Sequence, residues 1–210
     1  MLRYDSRGHG QTSITRGEYS IELLAKDVLA LLDALKIQRA HFCGLSIGGM
    51  TGMWLAANAP ERLNKLALCN TAAKIGTAET WNARIEAVQK GGTKSIAASV
   101  MERWFTAEFR AKDPGAVAKA RGMIEGTDAV GYTASCAAVR DFDFGKQLRT
   151  IRALTLVIAG AKDPVTPPAD GQQLAREIAG AQYVELGAAH ISNIEAGDRF
   201  TTQVSAFLKD

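Results

Sequence analysis

"CGLSIGG" at residues 43–49 decides the fold of this chain. A serine stands there among glycines, with the apolar run 40–44 before it and a helical pattern over 47–59 after it, which Pro60 ends. A surface loop would accept such glycines, and so would a weak phosphate-binding loop. The flanking strand and helix favour a third interpretation, a nucleophile elbow, in which Ser46 lies on a strained turn with its hydroxyl exposed.

The elbow interpretation assigns roles to the neighbours of Ser46. Because such a turn packs backbone against backbone, a Cβ at Gly44 or at Gly48 is expected to clash. The turn also leaves the backbone N–H of Ile47 as one donor for the negative oxygen that forms when a serine attacks a carbonyl. The motif alone is a weak signal, so the rest of the chain has to support it.

Strand-like and helical patterns alternate along most of the chain. The strand-like runs are residues 1–5, 40–44, 63–70, 154–160 and 181–187. The helical patterns are a stretch capped by Ser20 that ends near Leu35, 47–59, 168–178 and a closing helix that ends at Leu208. This alternation predicts an α/β fold, a mostly parallel sheet with helices on both faces.

Residues 77–148 interrupt that alternation with helical patterns only, which predicts an inserted helical lid. The predicted organisation is one structural domain plus this lid. Residues 1–75 form a core part with the elbow, 76–148 form the lid, and 149–210 form a core part with the remaining catalytic residues.

Composition narrows the function classes. Of the 210 residues, 47% are hydrophobic and 22% charged, and the net charge of +3 is spread along the chain, which predicts neither nucleic-acid nor membrane binding. Charged residues follow Met1 instead of an apolar leader, so a cytoplasmic location is expected. The three cysteines lack metal-binding spacing, no metal is expected, and Cys43 and Cys69 are expected to be buried. Self-association stays open.

A serine nucleophile needs a base and an acid that orients the base. His190, in "GAAHISN", follows the strand 181–187, and Asp163, in "AGAKDPVTP", follows the strand 154–160. Ser46, Asp163 and His190 therefore each come just after a separate parallel strand, where α/β sheets build their sites. Their chain order is that of a Ser–Asp–His triad, and we predict these three residues as catalytic.

Other candidates are weaker. His41 lies inside a strand and is expected to be a packing residue, while His9 in the turn "RGHG" is expected to be structural. Asp141 and Asp143 are alternative acids, but they lie in the predicted lid, away from the strand ends.

At these residues the chain resembles the α/β-hydrolase superfamily, and within it the bacterial 3-oxoadipate enol-lactonases. The resembling segments run from end to end of the chain: "LRYDSRGHGQTS", "GLSIGGMTGMWLAANAPERLNKLALCNTAAKIGT", "YTASCAAVRDFDF", "TLVIAGAKDPVTPPADG" and "GAAHISNIEA". The resemblance implies hydrolysis of the enol-lactone of 3-oxoadipate in aromatic catabolism, the β-ketoadipate pathway. It implies no metal or organic cofactor.

The implied substrate is small and carries a carboxylate, so the lid is expected to supply apolar walls and a cation. Trp104 and Arg140 are the candidates. The alternatives are core packing for Trp104 and a solvated helix face for Arg140.

The chain departs from the family at its beginning. In the family, three further strands precede "RYDSRGHG", and the loop after the third donates the second oxyanion N–H, whereas Met1 here stands almost directly before that point. The strand 40–44 is then expected to be an unpaired edge, and the run 1–5 to lack a neighbour. Three explanations stay open: an internal start, strands supplied by another chain, or a truncated relative with little activity.

Three alternatives to the enol-lactonase reaction share the fold. They are a general carboxylesterase, a carbon–carbon bond hydrolase with the same triad, and a non-catalytic relative that only binds a ligand. A cofactor-free haloperoxidase-like side activity would use the same residues.

Overall fold

A computed structural model describes residues 1–209. Its sheet has four strands, all parallel, in the order β1-β2-β3-β4. The strands are β1 (Ala40–Leu45), β2 (Leu63–Cys69), β3 (Leu154–Gly160) and β4 (Gln182–Leu186). The predicted parallel α/β fold is therefore confirmed, and the carboxyl ends of all four strands lie at one edge of the sheet.

The helices follow the predicted pattern closely. They are α1 (Ile21–Ala34), α2 (Ile47–Asn58), α3 (Ala78–Gly91), α4 (Lys94–Trp104), α5 (Ala107–Lys112), α6 (Pro114–Glu125), α7 (Ala129–Arg140), α8 (Pro168–Glu177), α9 (Ser192–Glu195) and α10 (Gly197–Lys209). Two short 3₁₀ turns cover Pro60–Arg62 and Gly145–Thr150. Ser20 caps α1 as predicted, since its Oγ accepts from the backbone N–H of Leu23 at 3.1 Å. Within residues 1–209, no helix is long and apolar enough to cross a membrane.

Helices cover both faces of the sheet because side chains alternate along each strand. In β2, Leu66 and Leu68 pack into the main core with α1 and α2, while Ala67 and Cys69 point to the opposite face. That second face packs against α10. The predicted helix–sheet–helix layering is confirmed.

The chain between β2 and β3 runs through α3–α7, which we call the helical segment (residues 78–140). It contains a small core of its own around Val88, Val100 and Phe105. Its last helix, α7, also contributes Ala138 and Val139 to the main core. The division of the chain into two core parts and a lid stays a prediction, and Asp210 lies outside the described residues.

Three expectations near β1 are wrong. Residues 1–5 form no strand, and both His41 and Cys43 are exposed although packing was expected for both. The physical reason is that β1 is the edge of the described sheet and pairs only with β2. Burial is correctly predicted for Cys69.

Candidate active site

Ser46 lies in the turn between β1 and α2 with φ 54° and ψ −117°, a backbone conformation that residues other than glycine rarely adopt. Two hydrogen bonds tie this turn to the end of β2. The Ser46 N–H donates to the carbonyl of Cys69 at 2.9 Å, and the hydroxyl of Thr71 donates to the carbonyl of Ser46 at 2.8 Å. The surrounding structure therefore holds the strained serine in place.

Gly44 and Gly48 play different parts in this turn. A Cβ on Gly44 would lie 2.2 Å from the carbonyl oxygen of Gly48, so only glycine fits there. A Cβ on Gly48 would meet nothing within 4 Å, so the predicted clash at Gly48 is wrong. Gly48 takes part in the close contact through its backbone carbonyl, which lies against residue 44. Gly49 is the second tight position, since its Cβ would lie 2.5 Å from Thr71.

The structure brings the three predicted catalytic residues to one edge of the sheet. His190 Nδ1 lies 2.8 Å from Asp163 Oδ2, and both residues are only 3% exposed. Ser46 and His190 line the same cavity. These two described side chains form no hydrogen bond with each other. Their catalytic roles stay predictions.

The carboxylate of Asp163 is surrounded by donors. Oδ1 accepts from the N–H groups of Val165 and Thr166 at 2.8 and 3.1 Å, and Oδ2 accepts from the Thr166 hydroxyl at 2.7 Å and from Asn70 Nδ2 at 3.0 Å. Burial alone would raise the pKa of Asp163. The hydrogen bond and charge attraction of His190, together with the bonds from Asn70 and Thr166, keep that pKa below its usual value.

An ionised Asp163 can only accept, so His190 Nδ1 carries the proton that joins the pair. The lone pair of His190 is then on Nε2, the nitrogen on the other side of the ring. This is the tautomer that a general base for Ser46 requires.

Asn70 is a site residue that the sequence analysis missed. It follows β2 with φ 43°, is 1% exposed, and donates through Nδ2 to Asp163 and to the carbonyl of Ala189 at 3.2 Å. Its Oδ1 accepts from the hydroxyl of the buried Ser192 at 2.5 Å. The signal was available, because Asn70 is the polar residue at the end of β2, as Asp163 and His190 follow the ends of β3 and β4.

A cavity of about 520 Å³ opens above Ser46 and His190. Its walls are mainly apolar side chains, many of them from the helical segment: Ile75, Trp81, Trp104, Ile124, Val139 and Val165. Trp104 thus lies where the sequence analysis expected a wall residue. Ile47 also lines the cavity, and as the first residue of α2 its N–H has no acceptor within the helix.

Arg140 does not line the cavity, which corrects its assignment as the substrate-facing cation. Its guanidinium donates to Asp141 at 2.7 Å, to Glu18 at 2.9 Å and to Asn82 at 3.1 Å. A cation already paired with two carboxylates has little left for a third. Asp141 and Asp143 are exposed and pair with Arg140 and Lys74, so neither replaces Asp163.

Arg84 and Arg103 are the cations that do line the cavity. Arg84 lies over the ring of Trp81, with the guanidinium carbon 5.0 Å from the ring centroid. Neither arginine forms a salt bridge with a carboxylate in residues 1–209. Arg84 was not predicted from the sequence, although it stands three residues after Trp81 and therefore on the same helix face.

Two further polar residues, His9 and Cys136, also line the cavity. His9 lines it, with its Nδ1 3.2 Å from the carbonyl of Arg7, so it is not only a turn residue. Cys136 lies beside Arg84, and burial raises the pKa of its thiol to about 12. The thiol is therefore protonated and unreactive at neutral pH.

Comparison with known proteins identifies relatives along the whole chain. The model of the alpha/beta hydrolase fold matches residues 1–197. The chain is 46% identical to 3-oxoadipate enol-lactonase 2 and 39% identical to 3-oxoadipate enol-lactonase 1, both of Acinetobacter baylyi, over 100% of this chain and 78% of each relative. The crystal structure of the enol-lactonase from Burkholderia xenovorans LB400 superposes with a TM-score of 0.98 at 47% identity, covering 99% of this chain and 80% of that one.

Proposed function

The chain belongs to the alpha/beta hydrolase family and is an enol-lactonase-like carboxylic ester hydrolase, and from that premise we propose that it opens the enol-lactone of 3-oxoadipate to 3-oxoadipate. The observation that carries the proposal is the buried Asp163–His190 pair beside the strained Ser46, under a largely apolar cavity. The names of the relatives support the choice of substrate.

The proposed reaction begins when Ser46 Oγ attacks the lactone carbonyl carbon and His190 Nε2 takes the serine proton. Negative charge develops on the carbonyl oxygen, and the N–H of Ile47, which has no acceptor within α2, donates to it. The ring C–O bond then breaks. The leaving group is an enolate that stays tethered to the acyl chain, and a proton from His190 followed by tautomerisation makes it the 3-oxo group.

Hydrolysis of the acyl-enzyme repeats the same steps with water. His190 removes a proton from a water molecule as the water attacks the acyl carbon. The Ser46–acyl bond breaks, the proton returns to Ser46 Oγ, and the new carboxylic acid leaves. Throughout, Asp163 holds the imidazole ring and stabilises its charged form, which the five hydrogen bonds to its carboxylate support.

We propose Arg84 as the partner of the carboxylate that the enol-lactone carries. It lines the cavity, it is stacked on Trp81, and no acidic side chain within residues 1–209 neutralises it by a salt bridge. An arginine in an apolar cavity binds a carboxylate strongly because the competing water is largely excluded. Trp104 supplies part of the apolar wall beside the reacting ring.

The test is turnover of the enol-lactone by the purified chain, with a serine-directed fluorophosphonate as an independent probe. We expect ring opening, labelling of Ser46 with one adduct per chain, and loss of both in Ser46→Ala and His190→Ala. Labelling of Ser46 with faster turnover of simple aryl esters than of the enol-lactone would replace the substrate by that of a general carboxylesterase. Ligand binding without labelling or turnover would contradict an enzymatic role.

A further inference from the structure

The loop that carries His190 is held on both sides by hydrogen bonds. After the histidine, the N–H of Ile191 donates to the carbonyl of Trp104 at 3.1 Å. Before it, the N–H of Ala189 donates to Glu195 Oε2 at 3.0 Å. The first bond reaches the helical segment directly, since Trp104 ends α4.

Glu195 makes the second connection to the helical segment. Its Oε1 accepts a short hydrogen bond from the Thr106 hydroxyl, and its Oε2 lies 3.3 Å from the Thr106 N–H, which donates to it. Thr106 also caps α5, where its Oγ1 accepts from the N–H of Phe109 at 3.1 Å. The single hydroxyl proton of Thr106 is therefore used on Glu195. This carboxylate bridges two segments that lie 89 residues apart.

The bridge is not an ion pair. Glu195 is half-buried and forms no salt bridge within residues 1–209. Its partners are the N–H of Ala189 on one side and the N–H and hydroxyl of Thr106 on the other. A charged acceptor strengthens each of these bonds, so a neutral side chain of the same shape would weaken the bridge at both ends.

We propose that Glu195 is a positioning residue that sets the distance between His190 and Ser46 and links it to the placement of the helical segment. This inference rests on the proposed function, because it takes His190 as the base for Ser46. Asp163 orients the imidazole ring, whereas Glu195 holds the backbone one residue before it. Since Ser46 and His190 form no hydrogen bond in the structure, a small shift of the loop decides whether they reach each other, and a shift of about 1 Å costs as much as ~100-fold in rate.

The test compares Glu195→Gln and Thr106→Val with two controls. Thr106→Ser keeps the hydroxyl that donates to Glu195, and Glu102→Gln makes the same charge change at an exposed site on α4. The first readout is the second-order rate of Ser46 labelling by a fluorophosphonate, together with kcat and KM for an aryl ester. The second is hydrogen exchange of the peptide 187–196, which does not depend on activity.

We expect Glu195→Gln and Thr106→Val each to lower the labelling rate and kcat by ~10-fold, with KM within ~2-fold of the parent value. Because both substitutions break the same bridge, the double variant should be no less active than the less active of the two single variants. Thr106→Val, although distant in sequence, should also speed exchange of the peptide 187–196. Both controls should stay within ~2-fold of the parent chain.

Unchanged labelling and unchanged loop exchange in folded Glu195→Gln and Thr106→Val would overturn the proposal, and so would fully additive losses in the double variant. If the parent chain does not label at Ser46, the proposed function fails. Hydrogen exchange of the peptide 187–196 then tests the link between Glu195 and the helical segment without activity. Faster exchange in Thr106→Val supports the link, and unchanged exchange refutes it. If Glu195→Gln does not fold, Thr106→Val carries the same test.

Discussion

The two sides of the cavity are built differently. On the sheet side, Asp163 and His190 are buried, and the Asp163 carboxylate accepts five hydrogen bonds. On the side of the helical segment, Arg84 and Trp104 are only partly buried, and Arg84 forms no salt bridge within the described residues. The sheet side leaves little freedom for change because the Asp163 carboxylate and the Asn70 side chain are both hydrogen-bonded within it. Arg84 and Trp104 lie outside the main core and can change without disturbing it, so substrate choice is expected to lie on the helical side.

The largest effect is expected on the sheet side, for Asp163→Asn. The amide would place N–H groups where the carboxylate now accepts, and it would favour the wrong tautomer of His190. We expect kcat to fall by roughly 10⁴-fold with KM little changed. Steady-state kinetics on any turned-over ester measures this. A loss below about 10-fold would mean that Asp163 does not orient the base.

The next effect concerns the elbow and compares two glycines four residues apart. Gly44→Ala places a Cβ 2.2 Å from the Gly48 carbonyl oxygen, so we expect the free energy of unfolding to fall by about 3 kcal/mol. Gly48→Ala meets open space and lies in a helix, so its effect should be within about 1 kcal/mol of zero. Urea unfolding of both variants measures this difference. Equal destabilisation would contradict the backbone packing described for the turn.

On the helical side, Arg84→Met should weaken binding of substrates that carry a carboxylate. Losing a charged hydrogen-bond partner costs roughly 1.5–3 kcal/mol, which corresponds to a rise in KM of about 10- to 100-fold. A neutral aryl ester and its hemisuccinate counterpart, which carries a carboxylate, separate loss of carboxylate binding from a general loss of structure. Only the KM of the hemisuccinate should rise. Arg140→Met is the matched control, and its ratio of the two KM values should not change. A larger change of this ratio in Arg140→Met than in Arg84→Met would show that Arg140, and not Arg84, binds the substrate carboxylate.

The smallest effect is the dependence of stability on pH. The pKa of Asp163 is lower in the folded protein than in the unfolded chain, so its stabilisation is complete above the ordinary carboxyl value of about 4 and is lost as the pH falls below it. The parent chain should therefore lose more stability between pH 5 and pH 3 than Asp163→Asn does. Chemical unfolding at those pH values tests this, and parallel curves would show that the carboxylate is not stabilised by folding.

Much of the sheet side was predictable because its signals are local. Apolar runs that alternate with helical patterns predict a parallel sheet, and a polar residue within a few positions of the end of such a run lies at the carboxyl edge of the sheet. That rule found Asp163 and His190, and applied once more it would have found Asn70. The bridge from Glu195 to Thr106 had no such signal, because its partners are 89 residues apart.

The helical side was predicted less well for a physical reason. Arg84 and Arg140 both lie on amphipathic helices, and the sequence pattern shows only that each side chain leaves its own helix. Packing of α3 and α7 turns Arg84 into the cavity and turns Arg140 toward Glu18 and Asp141. The exposure of His41 and Cys43 could not be predicted for the same reason. It depends on which elements pack beside β1, the edge strand of the described sheet, and not on the residues of β1 themselves.

The order of residues was thus enough to specify the four strands of the sheet, the strained serine turn and the places of Asp163 and His190 beyond their strands, because each depends on residues within a few positions of one another. Which cation faces the cavity, which glycine of the elbow is indispensable, and how the histidine loop is tied to the helical segment depend on surfaces that meet only after folding. Those contacts join residues distant in sequence, and their distances and angles exist only in the packed molecule.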